Sequence, residues 1–354
     1  LNVRSVCRTL LIASLFALLC GCWDVRDINK RYLPVVMGIS EGKSATYSII
    51  LQIPSVSGKT QILEQEADSI SKALDLIRTK AEKHVDLLHL RLFLISERMA
   101  KTGLDDVMDY AIRANDISIK GMMAIVTGDF EKTLHHEISP TPEISSYDYF
   151  SEESGWTPNV SIVRIWEAFR GSQSYTKDLA YPLIHVGTDT LYDFEGSAIM
   201  RKNKMVGALS PDETLVYNIF LEKYTGGTIE AAKDTSVIIK KARVRHRKEW
   251  TASGPKLKSA IYLDVAVSEN KKNLPNHRIA EEIQEMIDKK GDEIIRKMRA
   301  LKTDLLGTGQ LFRSQMSERQ IRDWKDVWFP RLTFDISVKV NIRDNIYFKE
   351  KIKS

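Results

Sequence analysis

The sequence predicts a mixed α+β fold, with a lipidated N-terminus followed by two or three small mixed-sheet domains with flanking helices. Three observations predict it. Apolar runs and two-residue alternations interleave along the chain with segments whose apolar residues recur every three or four positions, which is the pattern of strands alternating with helices. The 354 residues, 43% hydrophobic and 28% charged, are enough for two or three packed cores. All three cysteines, Cys7, Cys20 and Cys22, fall in the first 22 residues. Beyond them no internal disulfide, thiolate metal site or catalytic thiol can form, so the body stands on its apolar core.

With 8% aromatic residues, 18 Gly and 10 Pro, the composition is that of a globular protein and excludes disordered, collagenous and multi-span membrane classes. A net charge of +5, from 52 Lys and Arg against 47 Asp and Glu, is far short of what a nucleic-acid binder gathers on one face, and no nucleic-acid partner is expected.

At the N-terminus, Arg4 and Arg8 accompany an apolar run from Leu10 to Leu19 interrupted only by Ser14. Ten residues rise about 15 Å as a helix, half of a bilayer core, so the run reads as a signal-peptide segment and not as a span. It ends in Leu19-Cys20-Gly21-Cys22, which resembles the bacterial lipobox. That resemblance makes residues 1–21 a signal peptide and Cys22 the first residue of a lipoprotein. Its sulfur would carry diacylglycerol and its nitrogen an acyl group such as palmitate. The alternative is a free cysteine in a secretory helix. Two acyl chains, at about 0.8 kcal/mol per buried CH₂, anchor stably where one binds only marginally. Loss of Arg4 and Arg8 lowers the net charge from +5 to +3.

Leu33 to Ser40 reads as a strand, and Glu41-Gly42-Lys43-Ser44 as a turn into the alternating Ala45, Tyr47, Ile49, Leu51 and Ile53, together a β-hairpin. Pro54 to Gln65, rich in Ser, Gly and Glu, reads as a loop. Ile70, Ala73, Leu74, Ile77 and Ala81 predict a helix capped by Asp68 or Ser69. A strand over Leu90 to Ser96, one helix from Glu97 to Arg113, a strand over Lys120 to Thr127 and a helix from Phe130 follow. Ser139 to Pro158, with Pro140, Pro142 and Pro158, reads as a mobile connection.

A short helix is expected at Ile162 to Phe169, and strands at Tyr181 to Val186, Gly196 to Arg201 and Met205 to Leu209. Ser210-Pro211-Asp212-Glu213 is a capping box with proline at the first helical position, its helix running to about Tyr224. Val237 to Glu249 and Ala260 to Ser268 read as strands. The apolar positions from Ile279 to Leu305 define a long amphipathic helix stopped by Gly307 as C-cap. Strict alternation from Leu332 to Ile342 closes the chain as a strand with one wet face. Composition places the main boundary near Thr188 to Glu195, dividing 22–193, one α/β region or two subdomains, from 194–354.

No catalytic constellation emerges, and no enzyme activity, metal or cofactor is expected. The His84/His89 and His135-His136 pairs lack the i, i+4 spacing of a helical metal site. Gly307-Thr308-Gly309 follows a predicted helix, the wrong polarity for a phosphate loop, and no Lys-Ser or Lys-Thr comes after it. Trp324 and Trp328, four apart, read as core. The segment from Lys240 to Lys248 holds six Lys or Arg and no acid. As a strand it places Lys241, Arg243, Arg245 and Arg247 on one face, a candidate membrane or partner surface where anionic headgroups contribute about 1 kcal/mol per cation. A solvated face or a charge-protected sheet edge accounts for the same run.

Gly21-Cys22-Trp23-Asp24-Val25-Arg26-Asp27-Ile28-Asn29 resembles the opening of the Ger(x)C family, the C subunits of spore germinant receptors, with Asp27-Ile28 for the usual Glu-Leu. "HLRLFLISERMAKTGL" from His89, "SAIMRKNKMVG" from Ser197, "KTDLLGTGQLF" from Lys302 and the Trp324/Trp328 pair before Phe329-Pro330 are similar to further family segments, in the same order. The resemblance implies three α/β units. It also implies a non-enzymatic lipoprotein on the outer face of the cell or spore inner membrane, joined to membrane-spanning A and B subunits in a nutrient-sensing germination receptor. It carries one functional position onto this chain, Cys22. A solute-binding lipoprotein that itself captures a small nutrient is the alternative, and it predicts a cleft with convergent polar groups.

Overall fold

The computed structural model describes residues 30–54, 60–114, 116–136, 157–223, 227–232 and 234–343. Cys22 and most of the connection expected at 139–158 lie outside them. In chain order the elements begin with β1 (Arg31–Tyr32), β2 (Val36–Glu41), β3 (Tyr47–Pro54), β4 (Thr60–Ala67) and α1 (Ile70–Lys80). There follow β5 (His84–Val85), β6 (Leu92–Ser96), α2 (Glu97–Thr102), α3 (Asp105–Arg113), β7 (Met122–Val126), α4 (Phe130–His135), α5 (Ile165–Ser172) and β8 (Leu179–Val186). Then come β9 (Tyr192–Arg201), β10 (Lys204–Leu209), α6 (Pro211–Phe220), β11 (Thr228–Ala232), β12 (Thr235–Thr251) and β13 (Gly254–Asn270). The chain ends with α7 (Asn276–Leu301), α8 (Thr308–Phe312), α9 (Glu318–Arg322) and β14 (Thr333–Ile342).

Eight strands form one mixed sheet in the order β10-β9-β8-β7-β6-β2-β3-β4. Its centre, β2, β6, β7 and β8, is parallel, and both flanks are antiparallel hairpins. Parallel strands are covered on both faces, which is why Leu92 to Ile95 of β6 and "MMAIV" of β7 are apolar. On one face Met37, Phe93, Ile95, Met123 and Ile125 pack with α1, α3 and α5; on the other Val36, Leu92, Leu94 and Ala124 pack with Phe130 and Leu134 of α4. The expected hairpin is β2-β3, and Ser69 N-caps α1 as its sequence predicts.

The sheet continues through the segment where composition places the boundary, because β9 begins at Tyr192 within 188–195 and is hydrogen-bonded to β8. A second sheet, β11-β12-β13-β14, follows. Ile279, Ile283, Ile287, Ile294 and Met298 of α7 pack with Val237, Leu257, Ile261, Leu263 and Val338 of its inner face. Ser210 caps α6 with the predicted box, and the buried Glu213 also accepts from Lys297 at 2.6 Å, fastening α6 to α7.

Three expectations fail. Part of the expected loop, 60–65, belongs to β4: Leu63 and Gln65 pair with Leu51 and Ile49, and the strand is polar because it is a sheet edge, where charge discourages further pairing. The single helix over Glu97 to Arg113 is two, divided at Gly103, whose φ of +143° no helix tolerates. The long helix ends at Leu301, with Lys302 left-handed as its cap and the Thr303 N–H closing on the Met298 carbonyl at 2.9 Å. Gly307 does not terminate it; with φ +64° it starts α8.

That last departure has a cause. Asp304 is fully buried, and its carboxylate accepts from the Thr308 N–H at 2.9 Å, the Gly309 N–H at 2.7 Å, the Thr308 hydroxyl at 3.0 Å and the Trp324 indole N–H at 2.8 Å. Removal from water pushes its pKa up to about 6 against the pull of those donors. Asp304 and Asp178 exchange backbone and side-chain bonds: the Asp178 N–H donates to the Asp304 carbonyl at 2.8 Å, and the Asp304 N–H to Asp178 Oδ2 at 2.9 Å. Lys325 closes the network, with Nζ 2.6 Å from Asp178 Oδ1 and 2.9 Å from the Ser174 carbonyl. A buried tie thus joins the start of β8 in the large sheet to the turn segments ahead of β14.

Candidate functional site

The four cations singled out by sequence lie on β12, and a β-bulge puts them on one face. Val237 and Ile239 face the core; two β12 residues, Lys240 and Lys241, then stand against Asp264 of β13, and the alternation inverts. From there Ala242 and Val244 turn inward while Lys241, Arg243, Arg245 and Arg247 are exposed on the outer face. Neither Lys nor Arg can lose its charge cheaply in a core, so the odd positions go to water.

Their cross-strand neighbours complete the surface. Arg243 stands opposite Tyr262 and Arg247 opposite Lys258 on β13, and Tyr262 stands opposite Lys339 on β14. The Arg245 guanidinium is 5.5 Å from the Tyr262 ring centroid and the Lys339 ammonium 5.8 Å, so an exposed tyrosine is flanked by cations. Asp264 is already engaged, accepting from Asn341 at 2.9 Å and Arg343 at 2.5 Å, and these bonds hold its carboxyl below the usual range. Among the described residues no acidic oxygen lies within 4 Å of Lys241, Arg243, Arg245 or Arg247. The positive field of this face is therefore unneutralised by direct ion pairs.

The same strand is also an edge. β11 pairs only with Thr235 to Ile238, so from Lys240 onward one side of β12 has no strand neighbour among the described residues. Glu222 accepts from the Val244 N–H at 2.6 Å on that side, and the flanking cations discourage strand addition. Sequence placed the cations on one face; Tyr262, Lys258 and Lys339 escaped notice because only strand register brings them beside the run.

The remaining candidates are scattered. Among the described residues no group of three or more His, Cys, Asp and Glu side chains is placed to hold a metal, and no helix is long and apolar enough to cross a membrane. His135 spends Nδ1 on the Glu131 carbonyl at 2.8 Å. Trp324 is wholly buried, stacked on Phe312 at 5.7 Å, and Trp328 lies against Trp250 at 5.0 Å. The Gly307-Thr308-Gly309 turn does cradle an anion with backbone N–H groups, and that anion is Asp304.

Two family models match in tandem: the spore germination protein N-terminal domain over residues 24–186, and the spore germination B3/GerAC-like C-terminal domain over residues 195–345. The chain belongs to the Ger(x)C family of spore germination proteins. Within that family it is 21% identical to spore germination protein GerQC of Bacillus cereus, over 95% of this chain and 98% of that one. It is 25% identical to spore germination protein B3 of Bacillus subtilis (strain 168), over 64% of this chain and 65% of the relative. The fold is that of the GerBC crystal structure, with a TM-score of 0.58 at 18% identity, covering 86% of this chain and 96% of that one. This Ger(x)C protein keeps the mixed sheets and flanking helices that the family resemblance implies.

Proposed function

We propose that this Ger(x)C protein is the lipoprotein C subunit of a nutrient germinant receptor in the spore inner membrane, needed for receptor assembly and the germination response, and not an enzyme. The observation that carries the reading is the end-to-end correspondence with a spore germination protein, 95% of one chain against 98% of the other, joined to a lipobox-like Gly21-Cys22. Diacylglycerol and an N-acyl group on Cys22 hold the chain to the outer face of the membrane, beside membrane-spanning A and B subunits. Seven residues, and so eight Cα–Cα steps, lie between Cys22 and Lys30, where the described body begins. Fully extended they reach about 28 Å, so the body works close to the headgroups. Tethering confines the search for partners to two dimensions and raises effective concentration.

The basic outer face of the second sheet is the surface assigned to anionic headgroups or to an acidic partner. Its four unpaired cations and exposed Tyr262 fit a membrane interface, where aromatic rings and cations are both favoured.

Cys22→Ala in spores tests the reading. Expected are an unacylated product, loss of co-purification with the two membrane-spanning subunits, and slow germination with an otherwise folded protein. A variant that stays membrane-bound and germinates at the wild-type rate refutes the role given to the acyl chains. Wild-type protein that never co-purifies with integral receptor subunits refutes the assembly role.

A further inference from the structure

A cleft of about 570 Å³ opens between the C-terminal end of α5, the loop from Gln173 to Leu179, and the segment from Gln310 to Ile321. Four cations, Arg170, Lys177, Lys223 and Arg313, line it against one carboxylate, Glu167. Glu167 is already occupied: it accepts from the Arg164 N–H at 3.0 Å and lies 3.5 Å from the Lys223 ammonium.

Lys177 is the group without an explanation in the fold. Its aliphatic stem passes over Gly307, where a Cβ would stand 3.1 Å from the lysine Cδ, and the side chain is half-buried. Among the described residues no acidic oxygen lies within ion-pair distance of it. Burial first, then Lys223 and Arg170, pushes its pKa down; Glu167 and Asp304 oppose this, but Asp304 is enclosed by its own four donors. A half-buried ammonium facing other cations without a counterion is electrostatically costly, and that cost is relieved when an anion enters.

The floor of the cleft is held in place before any ligand arrives. Gln310 Nε2 donates to Thr176 Oγ1 at 2.6 Å and to Ser174 Oγ at 3.3 Å, while the Ser174 carbonyl is fixed by Lys325 at 2.9 Å. Tyr175, 48% exposed, and Ile321 supply apolar wall. The volume falls in the range of small-molecule sites and is too small for a folded partner. Clustered cations over a held floor, with an apolar wall, are what a small charged solute needs.

We propose that this cleft binds a small soluble oxyanion, a carboxylate- or phosphate-bearing solute, with its charge on Lys177, Arg170, Lys223 and Arg313 and its body against Tyr175 and Ile321. The site shares no lining residue with the sheet face assigned to headgroups, which adjoins it through Glu222 and Lys248, and it does not depend on the lipid anchor.

The test is calorimetric titration of the full chain in non-ionic detergent at low ionic strength, with inorganic phosphate and with acetate as probes. Saturable binding of either probe is expected, weakened by about tenfold or more in Lys177→Met, the loss of one charge-assisted hydrogen bond. Lys72→Gln, which removes a charge from the exposed face of α1, should leave binding unchanged. Arg313→Gln carries the same expectation as Lys177→Met and decides the matter if that variant loses its native circular dichroism. Absence of saturable binding, equal binding by Lys177→Met and Arg313→Gln, or an equal loss in Lys72→Gln overturns the proposal. Lys177-dependent binding to phosphatidylglycerol nanodiscs without any response to free phosphate or acetate also overturns it, by assigning the charge cluster to a lipid headgroup.

Discussion

Replacing Lys325 by Met removes the cation from the buried tie and leaves Asp178 behind. The Asp178 side chain is 0% exposed and that of Lys325 8%, so water cannot take over the ion pair. The stranded carboxylate keeps the Asp304 N–H at 2.9 Å and a long contact with the Lys202 N–H at 3.4 Å, while the Ser174 carbonyl loses its donor. Breaking a buried pair from one side costs about 3–5 kcal/mol, and the surviving N–H donor places this case near 3 kcal/mol, roughly a hundredfold in the folded-to-unfolded ratio. Arg201→Gln is the comparison, because its pair with Asp326 spans 3.0 Å between side chains 36% and 54% exposed. Such surface pairs contribute about 0–1 kcal/mol.

Urea unfolding followed by tryptophan fluorescence reads both variants. Asp178→Asn/Lys325→Met should recover much of the loss, since the Asn oxygen still accepts from the Asp304 N–H and no charge remains to be desolvated. Lys325→Met within about 1 kcal/mol of wild type refutes the reasoning. So does a double variant no more stable than the single.

Asp304 predicts a pH dependence of definite sign. Its folded pKa of about 6 lies above the ordinary 3.8, so the folded state holds the proton more tightly, and the associated stability is present below about pH 4 and lost as pH rises through 6. Against Asp304→Asn, which does not titrate, wild type should lose about 3 kcal/mol over that window, measured by urea titrations at a series of pH values; a constant difference refutes it. Gly309→Ala places a Cβ 2.5 Å from the Trp324 indole nitrogen and should cost about 1–3 kcal/mol, with a change in tryptophan emission as the indole is displaced; wild-type stability and emission would contradict this. Arg243→Glu/Arg245→Glu should weaken association of the unlipidated chain with phosphatidylglycerol vesicles by about tenfold or more in a flotation assay, and unchanged binding removes the headgroup assignment.

The strongest features of the sequence are those enforced by local chemistry. Ser69, one of the two caps expected for α1, and Ser210 satisfy orphan N–H groups because a hydroxyl before a helical run does so whatever the surroundings, and the Glu213 carboxylate returns the bond to the Ser210 N–H as the capping box predicts. The apolar runs at Leu92 and Met122 are legible because a strand buried on both faces favours apolar side chains at every position. β4 is missed because an edge strand borrows half its pairing from β3 and needs few apolar residues of its own. The break at Gly103 is hidden because α2 and α3 each keep apolar inner faces, while Gly307 is misassigned because a left-handed glycine ends one helix as readily as it opens another.

The basic face was half legible. Its β12 members adjoin in sequence, and parity alone groups them once the run is taken as a strand. The bulge at Lys240-Lys241 makes that grouping compatible with a buried Val237 and Ile239. The cleft was not legible at all, since Arg170, Lys177, Lys223 and Arg313 span 143 positions and carry no common motif. What brings them together is the Asp178–Asp304–Lys325 tie, which pins the loop bearing Lys177 to the segment bearing Arg313. The glycines of "KTDLLGTGQLF" serve the same junction: Gly309 leaves room for Trp324, and Gly307 gives Lys177 its seat. A motif that reads as a loop signature in one dimension is therefore the hinge-pin of two sheets in three. Any ligand held in the cleft bears on that junction, because Ser174 lies between Lys325 and Gln310.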